Sequence, residues 1–431
     1  MKTSEQVVIT GSGLVSSLGR TTEENWKAIC SGKSGIRPIS GFDAEGFTCR
    51  LAAEVGEINP EALGIHPRDA RIMDTHAYLL MMATRNAFKD AGLDRAALPS
   101  EEIGFYAGMG MVDYRTDDIL PAVLKSLGPE GLINYPAFYA EGYREIYPLW
   151  PLSMLNNITF CQVGIDLDIR GENAVFCPHA DAGAQAITEG MRTILERKAK
   201  AVLAGGVSEK VSPSSLARLH LAGVAKNTTE AENTKCIPFT KEGKGTILGE
   251  GAGMISLELR DSADRRGAPY SVMMSGYGHM CEPMEEGPAP SASAIANAMG
   301  RALEVASLQP EDIDLIIAHG DGAAFSDRSE AEAITIVFGK RTGLVPVFSS
   351  KAALGNLLAG APAADIILGM HMIEKGIIPA VIHDGAEGLH HAAEGVGLVT
   401  GEPLIKDIRR IMVNCQSYEG QAASIIIEAV K

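Results

Sequence analysis

The sequence predicts an α/β protein built from two similar halves. Three observations predict it. Short β-branched runs alternate with helical patterns, the 47 glycines fall at the junctions between them, and one order of elements occurs twice along the chain. The 431 residues are 46% apolar and 21% charged, which excludes a mostly disordered chain. At roughly 150 residues per domain the length suits two or three domains, or one large layered domain.

The elements follow in order. Gln6 to Thr10 reads as a strand that stops at Gly11-Ser12-Gly13. Ile72 to Ala91 reads as a helix, with Leu80, Ala83, Ala87, Phe88 and Ala91 on one face and Gly92 as its stop. Ile103 to Ala107 is a buried-type strand. Ala182 to Lys198 is a helix, and Ala201 to Ala204 a strand closed by Gly205-Gly206. Met254 to Leu259 is a strand, Ala294 to Ala306 a helix and Ile313 to Ala318 a strand. Leu357 to Lys375 reads as helical despite Pro362, and Ile411 to Asn414 and Ala423 to Ala429 close the chain as strands. The order helix, strand, turn, strand over 182–259 returns over 357–429, so the halves are taken as 1–260 and 261–431. No short repeat period points to a solenoid.

Charge and cysteines narrow the function classes. With 38 Lys and Arg against 54 Asp and Glu the net charge is −16, a poor match for a broad nucleic-acid-binding face. The cluster Arg192, Arg197, Lys198, Lys200 reads as a solvated helix end. The seven cysteines are scattered, odd in number and without CxxC, against both a disulfide framework and a zinc ribbon. Reduced, mostly buried thiols of a cytoplasmic protein are expected. The start of the chain lacks the apolar core of a signal peptide, and the longest apolar stretch, 359–378, is broken by Pro362, Asp365, His371, Glu374 and Lys375, so no membrane span is expected. Gly11-Ser12-Gly13 after a strand invites a dinucleotide site, but Ser16 stands where the third glycine would be and no acidic residue ends a second strand at the required distance.

Stronger signals are Val8-Ile9-Thr10-Gly11-Ser12-Gly13-Leu14-Val15-Ser16-Ser17-Leu18-Gly19, Pro238-Phe239-Thr240, Leu248-Gly249-Glu250-Gly251-Ala252-Gly253-Met254, and Pro310-Glu311-Asp312-Ile313-Asp314 leading to Ala318-His319-Gly320. With Asp90-Ala91-Gly92-Leu93 and Ala204-Gly205-Gly206 in order, the chain resembles β-ketoacyl-acyl-carrier-protein synthases over essentially residues 5–430. The resemblance implies the thiolase fold: two similar halves stacked as five α-β-α-β-α layers, normally dimeric, with interface and cap insertions around 110–170. It also implies a Cys-His-His site. There a cysteine at a helix N-terminus is acylated by a carrier-protein thioester, and two histidines assist decarboxylation and condensation.

Residue by residue, the match fails where that chemistry sits. Anchoring on Gly183-Ala184-Gln185-Ala186-Ile187 puts Ala180 at the nucleophile position; Cys177 lies three residues early, on the incoming strand, and reads as a buried small hydrophobe. His319 matches the first histidine, followed by Asp321-Gly322-Ala323 in place of hydroxyl residues, while Asp327 and Glu330 match the structural acidic pair. In Lys351-Ala352-Ala353-Leu354-Gly355-Asn356, Lys351 is kept and Asn356 replaces the second histidine; it offers hydrogen bonds but no exchangeable proton near neutrality. The glycine-rich gate reads Gln416-Ser417-Tyr418-Glu419-Gly420, with Gln416 at the gating Phe position and only Gly420 matching.

This pattern is closest to the chain-length factor, or KSβ, type. Such a subunit pairs as a heterodimer with an active ketosynthase, meets the acyl carrier protein through that partner, and shapes the acyl tunnel. Pro148 to Asn157 resembles the interface stretch, and Met109, Met111, Leu149 and Trp150 are expected to shorten a tunnel, or else are ordinary core. Two alternatives stand beside it. One is a repurposed enzyme, a decarboxylase or other acyl-thioester catalyst using His319, in which His179-x-Asp181 and His319-x-Asp321 form base–orienter pairs or hold a metal. The other is a non-catalytic acyl-binding homodimer. No cofactor and no resident metal are expected.

Overall fold

The opening apolar run does not stop at its glycines. In the computed structural model the first strand, β1, spans Val7–Ser16, and all ten residues are buried. The glycines serve close packing instead of a turn. A Cβ on Gly11 would lie 2.4 Å from the backbone nitrogen of Ala91, and one on Gly13 2.1 Å from the carbonyl oxygen of Ala83. Helix α1, Thr75–Asp90, therefore rests directly on β1. The structure describes residues 5–430 apart from 95–97, 112, 114–115, 154, 228–235, 241–242, 285–286 and 384–394.

Strands β2 (Ile103–Met109), β3 (Asn173–Phe176), β4 (Ala201–Val207) and β5 (Gly251–Leu259) complete the first set. β4 likewise runs through Gly205-Gly206 instead of closing there. The second set is β6 (Val272–Cys281), β7 (Leu315–Ile317), β8 (Pro346–Phe348), β9 (Gly397–Leu398), β10 (Arg410–Gln416) and β11 (Gln421–Ala429). All belong to one eleven-stranded sheet, ordered β9-β8-β7-β10-β11-β6-β1-β5-β4-β2-β3.

That order repeats itself about the β6–β1 seam. On one side β1 pairs antiparallel with β5, β5 antiparallel with β4, β4 parallel with β2, and β2 parallel with β3. On the other, β6 pairs antiparallel with β11, β11 antiparallel with β10, β10 parallel with β7, and β7 parallel with β8. The seam is short, Val7–Ile9 against Met274–Val272. The chain passes from one set to the other between Leu259 and Val272.

Helices α2 (Asn156–Asp166), α3 (His179–Leu195), α4 (Ala292–Ala306), α5 (Ala324–Phe338) and α6 (Ala361–Lys375) make the layers. α1 and α2 pack on the outer face of the first strand set, where Phe160 stacks on Phe105 at 4.3 Å. α4 and α5 cover the second set. α3 and α6 lie between them and contribute Ala184, Ile187, Met191, Ile366 and Ile367 to the largest core cluster. The expected helix from Leu357 begins four residues later; Pro362 sits in the first turn, where no backbone N–H is needed.

Between β2 and β3 the chain makes a long excursion through helices Thr116–Lys125 and Tyr135–Ala140 to α2. It carries exposed apolar side chains, including Leu124, Leu132, Tyr135, Tyr139 and Ile165. Among the described residues no helix is long and apolar enough to cross a membrane.

Candidate functional site

One small pocket gathers side chains from strand ends of both halves. His179, at the start of α3, meets His319 and Asp321 from the loop after β7, Asn356 from the turn before α6, and Gln416 and Tyr418 from the end of β10. The backbone leading to α3 brings His179 to a φ of +63°, a conformation few side chains adopt. Its imidazole is 2% exposed. Nε2 lies 3.4 Å from Glu419 Oε1, and the ring lies 4.2 Å from that of Tyr418. Burial pushes the His179 pKa down, against the pull of Glu419 and Glu209. The free space left between these side chains is about 10 Å3, room for about one water.

The His319 loop is fixed through its backbone. The N–H groups of His319 and Gly320 donate to Glu330 at 2.9 Å each, and Asn414 donates to the same carboxylate at 3.1 Å. Asp327 accepts from the N–H of Phe239 at 2.5 Å and of Gly322 at 3.3 Å. Burial drives the Asp327 carboxyl well up, with the negative charge of Asp321 adding to it. Asp321 lies 3.6 Å from His319 Nε2. Burial opposes its charge, but His319, the Ala323 N–H and Ser326 outweigh this and hold its carboxyl below the usual value. Asn356 donates to Thr246 Oγ1 at 3.3 Å and accepts from the N–H of Leu358 at 3.0 Å. Lys351 is buried against Asp365 at 2.5 Å, and Asp365 also accepts from Ser350 at 2.6 Å.

The structure thus brings His319, Asn356, Gln416 and Tyr418 together, with Glu419 meeting His179, while Lys351 is paired with Asp365 and does not line the pocket. It does not bring Ala180 into the pocket. Its side chain packs in the central core, and the residue that faces the cavity is its neighbour, His179. A signal was present in the sequence: a bulky polar residue between Pro178 and Ala180, at a helix start where small residues are the rule. The pair His179-x-Asp181 does not form either. Asp181 accepts from Gln185 at 3.0 Å, because one helical turn separates them, and its carboxyl is pushed up to about 6 by burial. Among the described residues no group of three or more His, Cys, Asp or Glu side chains is placed to hold a metal.

The four expected tunnel residues scatter. Met109 is buried in the outer core of the first half, whereas Met111 and Leu149 are 44% and 36% exposed and Trp150 is half-buried. Met154, in the same interface stretch, lies outside the described residues. Gly420 turns the gate loop at a φ of +96°, and a Cβ there would lie 2.3 Å from the Glu282 carbonyl oxygen.

The thiols also depart from expectation. Only Cys49, Cys236 and Cys415 are buried, Cys30 is half-buried, and Cys161, Cys177 and Cys281 are exposed. Cys177 sits just beyond β3, accepts from Asn156 Nδ2 at 2.9 Å, and has its pKa raised by partial burial. Cys236, nearest the His319 loop, donates to the Asp321 carbonyl at 3.1 Å and is pushed up to about 12 by burial. Neither is a ready thiolate near neutrality.

The layered frame and the histidine cleft where its halves meet define a thiolase-like condensing-enzyme class. The family models agree: residues 4–263 match the β-ketoacyl synthase N-terminal domain and residues 272–384 its C-terminal domain. The chain belongs to the β-ketoacyl synthase family. It is 28% identical over 433 residues to 3-oxoacyl-[acyl-carrier-protein] synthase 2 of Coxiella burnetii, covering 99% of each chain. It is 29% identical over 429 residues to the Staphylococcus aureus (strain COL) enzyme of the same name, again covering 99% of each. Among solved structures it is similar to the ishigamide ketosynthase/chain length factor, with a TM-score of 0.84, 27% identity and 99% of each chain covered. A β-ketoacyl synthase from Burkholderia phymatum STM815 shares the fold, with a TM-score of 0.86 at 24% identity, covering 99% of this chain and 100% of that one.

Proposed function

We propose that this chain is a catalytically silent ketosynthase-like subunit of the chain-length factor (KSβ) type. It pairs in the cytoplasm with an active β-ketoacyl synthase, in a type II polyketide or fatty-acid-like system, and shapes the acyl tunnel of the complex. The observation that carries this reading is the filled pocket. His179, Tyr418 and Gln416 leave about 10 Å3, and no thiolate faces it. An acyl chain needs a cleft tens of times larger, and nucleophilic acyl transfer needs an activated thiol. The likeness to the ishigamide ketosynthase/chain length factor supports the same reading. The exposed leucines and tyrosines of residues 116–165, with Met111 and Leu149 beside them, are the face offered to the partner. Carrier-protein docking and thioester chemistry then belong to the partner.

Co-expression with an active ketosynthase encoded alongside it tests the proposal. The expected result is a one-to-one complex in which acyl groups load only onto the partner, read by intact-protein mass spectrometry. A stable homodimer that ignores such a partner, or an acyl adduct on this chain, would overturn it.

A further inference from the structure

The excursion between β2 and β3 builds an arm over 117–149 that packs on itself. Its helices, Thr116–Lys125 and Tyr135–Ala140, meet each other and the turn Gly142–Glu145. Lys125 pairs with Glu145 at 2.7 Å, and the Asn134 N–H donates to the Ser126 carbonyl at 2.8 Å. The Tyr147 N–H closes the base on the Asp118 carbonyl at 3.2 Å. Yet of residues 117–149 only Ala122, Ser126 and Gly142 are buried. None of the arm's large apolar side chains joins a buried core cluster among the described residues.

So little burial is too thin to hold an arm. Helices under about 12–15 residues are marginal in water. These have ten and six, and the longer carries Pro121 in its interior, where a backbone hydrogen bond is lost. Three small buried residues return little apolar area against the entropy of ordering the segment. The apolar surface lies on the outside instead. Leu120 and Leu124 stand one turn apart on the first helix, and Leu127 follows. Tyr135 and Tyr139 stand one turn apart on the second, and Tyr143 follows. Leu124, Tyr135 and Tyr139 are 58%, 65% and 71% exposed. Leucine and tyrosine exposed together in this way mark a surface that another molecule covers.

Charge narrows what covers it. The arm carries five acidic side chains against two basic ones, and Lys125 is already held by Glu145. A second copy seated arm to arm would set the same acidic patch against itself, and the chain as a whole carries −16. A different subunit, with an apolar face rimmed by Lys or Arg, is the complement. We infer that this arm is the grip on the partner: its leucines and tyrosines seat in an apolar, basic-rimmed face of the active ketosynthase, and the arm is stably folded only when seated there. The inference rests on the heterodimer reading above.

Hydrogen exchange read by mass spectrometry tests it, on this chain alone and on its co-expressed complex with the ketosynthase encoded alongside it. Expected is exchange over 117–149 at least about tenfold slower in the complex, with β1 and β4 protected alike in both samples. Leu124→Ser combined with Tyr139→Ser should weaken pairing at least about tenfold while leaving this chain's own thermal unfolding unchanged. A complex whose arm exchanges as in the free chain, or which holds equally well with both substitutions, overturns the inference and leaves the silent-subunit reading standing. A homodimer that protects the arm assigns it to a second copy and overturns the choice of partner. No complex at all overturns the heterodimer reading itself, and the inference with it.

Discussion

Lys351 shows at single-residue scale how tightly the segment leading to Asn356 is held. Its ammonium is 1% exposed. Burial disfavours its charge, but Asp365 more than offsets this and keeps the pKa above the ordinary value. Removing one member of such a pair leaves an uncompensated buried charge. Lys351→Met is therefore expected to cost about 3–5 kcal/mol in urea unfolding, and adding Asp365→Leu should recover part of the loss. Two other residues set a pH dependence. His279 is pushed down to about 4 by burial, whereas an unfolded histidine titrates near pH 6.5. Between those values the unfolded chain binds the extra proton, so stability falls on acidification, by up to about 3 kcal/mol. Asp181, raised to about 6 by burial, works the other way: the folded chain holds its proton, and that contribution is lost as pH rises through about 6. In thermal melts His279→Gln should flatten the acid limb, and Asp181→Asn should steepen it; unchanged limbs would refute the assignments. Of the pocket lining, His319, Asn356, Gln416 and Tyr418 were legible, because each stands inside a recognisable segment. His179 was read as half of a pair with Asp181 and not as the residue at the cavity, since the exit from β3 turns its ring, and not the next side chain, inward.

At the scale of elements, helices here approach strands and each other closely enough for backbone to meet backbone. A Cβ on Gly183, in α3, would lie 2.0 Å from the carbonyl oxygen of Ala359, just before α6. A carbonyl cannot swing away as a side-chain tip can, so Gly183→Ala is expected to destabilise by about 3 kcal/mol or more. Gly300, exposed on α4, has nothing within 4 Å of such a Cβ. Gly300→Ala should stabilise by about 0.5–1 kcal/mol, as helix propensity alone requires. Chemical denaturation of both variants separates the two roles of glycine. The same contrast explains where element reading went astray. Gly11-Gly13 and Gly205-Gly206 look like strand stops, and local sequence cannot reveal that α1 presses on the first pair or that Gly253 of β5 and the turn at Ala359 press on the second. Periodicity located α1, α3, α4 and α6 to within four residues at each end but did not mark α5, Ala324–Phe338.

At the scale of the molecule, the two strand sets share a seam only three residues long and a central layer made of one helix from each half. Neither half can close its core alone, since separating them would expose the inner faces of α3 and α6 to water. Residues 1–260 and 261–431 produced separately are expected to lack cooperative unfolding transitions, and co-production should restore one; sharp melts from isolated halves would contradict this. The twofold order was visible in the sequence as a repeated succession of helix, strand and turn. That the strands join into a single sheet was not, because the seam depends on pairing between positions about 265 residues apart.

The filled pocket has a consequence for how such a subunit ages. Enzymes hold a reactive, partly emptied cleft open at the expense of robustness. A cleft packed by Tyr418 and His179 leaves little of that looseness in this chain. In the pairing proposed above it serves as the durable wall of an assembly whose working parts wear elsewhere.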